Sequence, residues 1–342
     1  MSPLASSRSQ ALWLFSVSAL IALLIVFGGW VRLTRSGLSI TEWNVVTGVV
    51  PPLHRAAWEE EFARYRQTPE YRHVNYGMSL EEFKFIYWME YGHRLLGRVA
   101  GLAFVVPFLF FLARGVIPRR RCLAYLGIGL LFALQGLIGW LMVKSGLLDR
   151  PSVSHVRLTL HLGAAFLLLL ACLWLALDHL FPTQTPSGTV PLSIRRLCLA
   201  FLVAVFIQSL AGGLMAGLKA GYLSDTFPRM FGQWVPEGLW RLQPLASNFL
   251  DNPALVHFQH RWFAFAVLGL ALLLVDRSRS EHLPPPWRNG ARWALALVVF
   301  QVGLGIGAVL LHLPLALASL HQAMAVVLLG LALFLCHRAC RA

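Results

Sequence analysis

Apolar runs of lipid-crossing length, broken by short polar punctuation, set the pattern of this chain. Residues 9–31, 122–143, 158–177 and 197–218 carry no formal charge, and residues 293–337 carry none either. A helix that crosses the hydrocarbon core needs about 20 predominantly apolar residues, so each of the first four runs predicts one span. The fifth is long enough for two, with His312-Leu313-Pro314 as the turn between them. Two further runs, 99–113 and 262–275, are short. They reach spanning length only by extending backwards over His93 and Arg94, and over His260 and Arg261. The pattern predicts an all-α integral membrane protein with eight transmembrane helices.

Composition agrees with that pattern. Hydrophobic residues make up 57% of the chain and charged ones 13%, where a soluble domain is about a quarter charged; the mean hydropathy is +0.65. A net charge of +14 would suggest a nucleic-acid partner on a soluble surface. Here the basic residues stand at the ends of the apolar runs, where they fix topology, and no nucleic acid is expected. Arg114, Arg119, Arg120 and Arg121 crowd one short connection, Arg195 and Arg196 close another, and Arg277, Arg279, Arg288 and Arg292 fill a third. Arg338 and Arg341 follow the last run. The positive-inside rule then puts the N-terminus and the C-terminus in the cytoplasm, and segments 36–89 and 219–255 outside. The first of these is rich in Trp, Tyr and Glu and is expected to fold as a cap with short helices.

Only a short polar lead precedes the first run, which is too long for a signal-peptide core and has no small-residue cleavage site after it. We read it as a retained span of a multi-pass protein in a bacterial plasma membrane. The five cysteines, Cys122, Cys172, Cys198, Cys336 and Cys340, fall in or beside apolar runs, which suggests no external disulfide framework. Cys336, His337 and Cys340 mimic a metal cluster only loosely and read as soft side chains at a helix end.

The two short runs are the second and sixth spans, equivalent positions if the chain is two copies of a four-helix unit. HRLLG at His93 answers HRWFA at His260, and LTLHLGAAF around His161 answers LASLHQAMA around His321. Three odd-numbered spans share Gln-x-x-x-Gly: Gln135 with Gly139, Gln208 with Gly212, Gln301 with Gly305. The expected organisation is two pseudo-symmetric four-helix bundles, residues 1–181 and 195–342, joined by a cytoplasmic linker at 182–194. Short, polar-interrupted segments at matched positions of a repeat point to binding sites within them.

Each even-numbered span carries one histidine near its outer end: His93, His161, His260 and His321. Ionisable groups inside a membrane are costly. One such histidine would be explained by a hydrogen bond to a neighbouring helix; four in repeat register ask for more. Zinc would want further ligands, and a proton relay would want carboxylates in the core of the spans, which the runs lack. Haem iron takes two axial ligands from opposite sides of a flat ring, which suits paired helices of a bundle. The residue four after each histidine is small, Gly97, Ala165, Ala264 and Ala325, as a macrocycle lying on a helix requires, although small residues also mediate helix packing. Arg94 and Arg261 directly follow their histidines and Arg157 lies one turn before His161. With Arg32, Arg35 and Arg98 they fit propionate contacts, the competing reading being snorkelling to lipid headgroups. Glu90 precedes His93 by three residues, and at the matching place before His260 stands His257. Only the first half therefore sets a carboxylate beside its histidine. Such a group suits proton transfer or stabilisation of a cationic carbon; alternatively, Glu90 orients His93 or pairs with Arg94.

The segments GGWVRLTRSGLSITEW (28–43), EEFKFIYWMEYGHRLLGR (81–98), QGLIGWLMVKSGL (135–147), HVRLTLHL (155–162) and HFQHR (257–261) together resemble the haem A synthase family. The likeness runs in order over nearly the whole chain, on the branch without an external cysteine pair. It implies eight helices in two bundles and oxidation of the C8 methyl group of haem O to a formyl group through hydroxylated intermediates. It further implies a resident haem b on His260 and His321, substrate haem on His93 and His161, and a catalytic Glu90. Haem O synthase and oxidase assembly factors are the neighbours expected by analogy, with self-association left open. Two other functions compete. A non-catalytic di-haem b cytochrome passing electrons from quinol explains four histidines but not Glu90, and a haem carrier explains binding alone.

Overall fold

The computed structural model describes residues 3–44, 47–148, 150–181, 190–281 and 283–341. In chain order its α-helices are α1 (Pro3–Leu33), α2 (Arg55–Tyr65), α3 (Pro69–His73), α4 (Leu80–Ala113), α5 (Arg119–Leu147) and α6 (His155–Leu180), then α7 (Leu192–Gly217), α8 (Asn248–Asp251), α9 (Pro253–Ser280), α10 (Pro285–Leu310) and α11 (Leu315–Arg341). Among the described residues there is no strand, only an isolated bridge between Met230 and Gln233. Eight of the helices, α1, α4 to α7 and α9 to α11, are long and apolar enough to cross a membrane, so the protein is a multi-pass membrane protein with the eight spans its sequence predicts.

The chain packs as two compact units, Ala19–Leu168 on one hand and Met1–Ser18 with Leu169–Ala342 on the other. Most of the expected linker, residues 182–189, lies outside the described residues.

In the first unit the segment after α1 is shorter than expected, because α4 starts at Leu80 rather than near Glu90. Ser79 and Glu82 form a reciprocal capping box there, the carboxylate accepting from the Ser79 N–H at 2.8 Å. That motif supplies partners for two otherwise orphaned helix-start amides, so the helix begins well ahead of its apolar part. The short helices foreseen for this segment are α2 and α3. α2 is held along its surface by Arg55–Glu59 and Arg64–Glu60 pairs four residues apart. Its inner face joins Trp58, Phe62 and Tyr65 to Phe83, Ile86, Tyr87 and Tyr91 of α4 in one aromatic cluster. Tyr65 is fully buried, donates to Glu70 and accepts from Asn75; burial and the Glu70 carboxylate push its hydroxyl well above the usual tyrosine range.

In the second unit α7 and α10 each pack on both α9 and α11, closing a ring of four helices. The turn at His312 and Leu313 is left-handed at both residues (φ 57° and 58°). The Leu313 side chain lies where a β-carbon on Gly221 would stand 2.8 Å from it, so a larger residue there would push Leu313 aside. The segment before α9 is organised by two fully buried asparagines that the sequence reading did not single out. Asn252 caps α9 at the Ala254 N–H and donates to the Gly238 and Leu239 carbonyls and to Asn248. Asn248 in turn holds both the N–H and the carbonyl of Leu242. At the far end of α11, His337 bonds Asp178 at 2.9 Å and Arg341 bonds the other oxygen of that carboxylate at 2.7 Å, while Trp174 packs edge-on against the imidazole.

Candidate functional site

The stretch EYGHRLLGR lies wholly within α4. Positions 90, 94 and 98 fall four apart on one helix face, and that face grips the segment that follows α1. Glu90 is only 3% exposed. Its Oε2 accepts from the Ser39 N–H (2.7 Å), the Ser39 hydroxyl (2.7 Å) and the Ile40 N–H (2.9 Å). Its Oε1 accepts from Arg94 through Nη2 (2.6 Å) and Nε (3.1 Å). Arg94 extends the clamp by donating to the carbonyls of Ile40 and Glu42, with its guanidinium 5.0 Å from the centre of the Trp43 ring. Arg98 donates to the Asn44 carbonyl, and the Tyr91 hydroxyl to that of Val49. Charge is tolerated at the head of a membrane helix here because nearly every donor and acceptor is spent on a neighbouring backbone group.

The second unit repeats the clamp with one change. On α9 the Nε of Arg261 donates to Nε2 of His257 at 2.8 Å, while its terminal nitrogens donate to the carbonyls of Thr226 and Ser224. His257 thus fills the place that Glu90 fills on α4. Because its Nε2 accepts a hydrogen bond, its remaining proton sits on Nδ1. The two helices share an arginine anchor for the segment ahead of them, and only α4 makes that anchor with a carboxylate.

His93, His161, His260 and His321 each lie against a glycine of a facing helix. A β-carbon built on Gly28 of α1 would stand 3.0 Å from Nε2 of His93. The corresponding distances to Cε1 are 2.9 Å from Gly139 on α5 to His161, 3.4 Å from Gly212 on α7 to His260, and 3.1 Å from Gly305 on α10 to His321. At Gly28, Gly139 and Gly305 a side chain would crowd the imidazole, while at Gly212 the contact would be an ordinary one. One turn before three of the glycines, the side-chain amide of a glutamine donates to the carbonyl of the histidine itself: Gln135 to His161 (3.1 Å), Gln208 to His260 (2.9 Å) and Gln301 to His321 (2.9 Å). The Gln-x-x-x-Gly pattern is therefore a histidine seat. Gly28 completes the set of four, but Leu24 holds the glutamine position.

In the second unit the rings of His260 and His321 lie 6.5 Å apart, centre to centre, at 77°. In the first, His93 and His161 are within electrostatic reach of one another, and Phe27 packs edge-on to His93 with ring centres 6.0 Å apart. Nδ1 of His161, His260 and His321 is buried without a hydrogen-bond partner, as is Oε1 of Gln135, Gln208 and Gln301. A β-carbon on Gly97, one turn after His93, would meet nothing within 4 Å, so space is open beside that turn; Ala165 and Ala264 keep the equivalent turns low. The three arginines expected near propionates are already engaged. Arg94 and Arg261 hold the backbone carbonyls given above, and Arg157 donates to the Leu141 carbonyl at 2.7 Å. The oxygens of Glu90 are taken by Ser39, Ile40 and Arg94, which realises the arginine pairing and leaves none for His93.

These features define a class: a multi-pass helical membrane protein whose two units each hold a pair of half-buried imidazoles, with Nδ1 unpartnered in His161, His260 and His321. Residues 11–333 match the model of the cytochrome oxidase assembly protein family, COX15-CtaA. The chain belongs to that family. Among similar proteins, one named Heme A synthase from Nitrosospira multiformis is 46% identical over 334 residues, covering 97% of this chain and 94% of the relative. Another of that name, from Parvibaculum lavamentivorans, is 42% identical over 339 residues, covering 98% and 95%. A third, from Nitrosomonas eutropha, is 42% identical over 331 residues, covering 96% and 93%.

Proposed function

We propose that this protein is a haem A synthase of the bacterial plasma membrane, an oxidoreductase that converts the C8 methyl group of haem O to a formyl group for terminal oxidase assembly. Both termini would lie in the cytoplasm, with the chain arranged as two related four-helix halves. The observation that carries the reading is the His260–His321 pair. Its 6.5 Å ring separation is about what two imidazoles need to share one metal atom, each nitrogen ~2 Å from it. An imidazole nitrogen left unpartnered in an apolar interior is costly unless a ligand uses the ring.

His260 and His321 would hold a resident haem b, and His93 with His161 the substrate haem O. When bound, the iron porphyrin supplies the electron transfer that the side chains alone lack. The protein's own part is to seat the rings, exclude water and manage protons. The four glycine seats hold the imidazoles against their facing helices. Glu90 is the carboxylate that distinguishes the first pair, and it serves there in catalysis: Oε1, shared with Arg94, exchanges a proton or faces developing positive charge while Oε2 keeps the Ser39–Ile40 turn in place. Arg94, Arg157 and Arg261 brace the surrounding segments, with their remaining N–H groups available to propionates. A quinol-linked di-haem cytochrome would have no use for a carboxylate at Glu90 opposed by a histidine at 257.

Pigment extraction tests the proposal. Purified protein from cells that make haem O should yield haem b together with haem O, haem A or a partly oxidised product. Two b haems and nothing else would favour the cytochrome; a colourless preparation with no Soret band would end both readings.

A further inference from the structure

The two units differ in how one equivalent pair of helices packs. In the second, α9 and α10 lie close along much of their length; in the first, α4 and α5 approach each other at few places. Side-chain volume explains the difference. Counted from His93 and His260, Phe104 of α4 corresponds to Ala271 of α9, and Phe108 to Val275. Counted from Gln135 and Gln301, Tyr125 and Phe132 of α5 correspond to Ala291 and Val298 of α10. Small residues let helix backbones approach closely; the aromatic set holds them apart. Its rings stack between the two helices, Phe104 on Phe132 at 5.3 Å and Phe108 on Tyr125 at 5.9 Å between centres. Phe104 and Tyr125 are fully buried.

Towards His93 the gap stays open. His93, Gly97, Ala100 and Phe104 follow one another on a single stripe of α4. Ala100 and Phe104 are fully buried, so the space beside Gly97 lies inside the bundle. A β-carbon there would meet nothing within 4 Å, nor would one on Gly101, a turn further along. On α5, Gly129 faces α4, since a β-carbon on it would stand 3.7 Å from the Phe104 ring. Gly136 lies two turns on along that face; it is exposed, and a β-carbon on it also meets nothing within 4 Å. The gap is thus floored by the Phe104–Phe132 pair, passes the His93 turn and reaches the outer surface of the helices at Gly136. The second unit has Ala264, Leu268 and Val302 in the places of Gly97, Gly101 and Gly136.

We propose that this gap between α4 and α5 receives the isoprenoid chain of haem O. The proposal rests on the haem reading above and deepens it to what separates the substrate from the resident group. Haem O carries a long apolar chain where haem b has a vinyl group. A half that holds haem b needs no room for such a chain, and its helices close up. A half that admits haem O needs a slot beside its histidines that is apolar and open at the side to lipid. The chain then stays in an apolar medium while the ring enters. The aromatic wedge holds this slot open, and Gly97, Gly101 and Gly136 line it without filling it.

The test fills the slot with the second unit's own residues. Full-length protein is purified in detergent, with its resident haem b, from cells that lack haem O. It is titrated with haem O and, separately, with further haem b, and uptake is read from the Soret band. Gly101→Leu and Gly136→Val should weaken haem O uptake about tenfold or more, while uptake of further haem b changes less than about threefold, the larger loss being on the scale of overfilling a packed space. Equal weakening of both haems would mean that the space serves the ring rather than the chain. Unchanged haem O uptake would leave the gap without a part in substrate binding. Either result overturns the inference with the haem assignment intact. If one variant fails to fold, the other decides. Wild type that takes up neither haem beside its resident one would instead remove the reading beneath it.

Discussion

Glu90 and Arg94 form a buried ion pair at 2.6 Å, with side chains 4% and 12% exposed, and the same carboxylate accepts from two consecutive backbone amides at Ser39 and Ile40. A group in this position has both a structural and a chemical duty, and two substitutions separate them. Glu90→Ala strands a buried guanidinium and two amides, and removing one member of a buried pair costs roughly 3–5 kcal/mol; the melting temperature should fall clearly. Glu90→Gln keeps one acceptor oxygen for the Ser39 and Ile40 amides but turns an amide N–H2 towards Arg94, so its melting temperature should fall less than that of Glu90→Ala. Both should lose formyl formation by about a hundredfold or more, the usual scale for removing a proton-transfer group, while haem stays bound. Full haem A yield from a folded Glu90→Gln protein would leave the carboxylate with its structural duty alone.

The glycine seats predict a graded series. Alanine is favoured over glycine in a helix interior by about 1 kcal/mol, so a glycine there needs a reason. At Gly212 a β-carbon would stand 3.4 Å from His260, an ordinary contact, and Gly212→Ala should be neutral or slightly stabilising. At Gly139 the distance to His161 is 2.9 Å, so the imidazole must move. Gly139→Ala should therefore alter the absorption spectrum or lose one haem equivalent, with Gly305→Ala between the two at 3.1 Å. The haem-to-protein ratio of the three purified variants checks the order.

Much of this architecture was legible because lipid imposes a simple rule. A run of apolar residues long enough to cross must be a helix, since its backbone has nothing else to bond, and six of the eight spans follow from it directly, the other two after extension over His93 and His260. The start of α4 was less visible. Glu81, Glu82 and Lys84 look like loop in a search for apolar runs, yet they sit on the part of the helix against which α2 packs. The histidines and the Gln-x-x-x-Gly pattern could be found by repetition, but a pattern along one chain does not say which histidine a glutamine faces. Gly28 escaped the pattern because Leu24 breaks it. The contacts of the arginines were hidden in another way. Besides Glu90 and His257, their partners in the structure are backbone carbonyls, which every residue carries and no sequence motif marks.

That distinction gives a third prediction. Arg261, braced by His257 of the same helix, ties the carbonyls of Ser224 and Thr226 to α9. If bracing is its main duty, Arg261→Ala should loosen the segment between α7 and α9, costing about 1–3 kcal/mol for the bonds lost. Protease cleavage between residues 224 and 245 should then increase while haem content holds. Haem loss without new cleavage would instead make propionate binding its principal role.

The cluster at the end of α11 bears on stability and lies apart from the histidine seats. Asp178 accepts from His337 at 2.9 Å and from Arg341 at 2.7 Å, and His337 is fully buried beneath Trp174. Asp178→Ala leaves that imidazole and guanidinium with no carboxylate between them and should cost roughly 3 kcal/mol. Asp178→Asn keeps one acceptor oxygen and should cost less. Haem content and spectrum should be unchanged in both, because the residues that seat His260 and His321, namely Gln208, Gly212, Gln301 and Gly305, are untouched. Thermal melting followed beside the Soret band separates the two effects: a folded Asp178→Asn protein that loses haem would tie this cluster to the ligand-bearing turns after all.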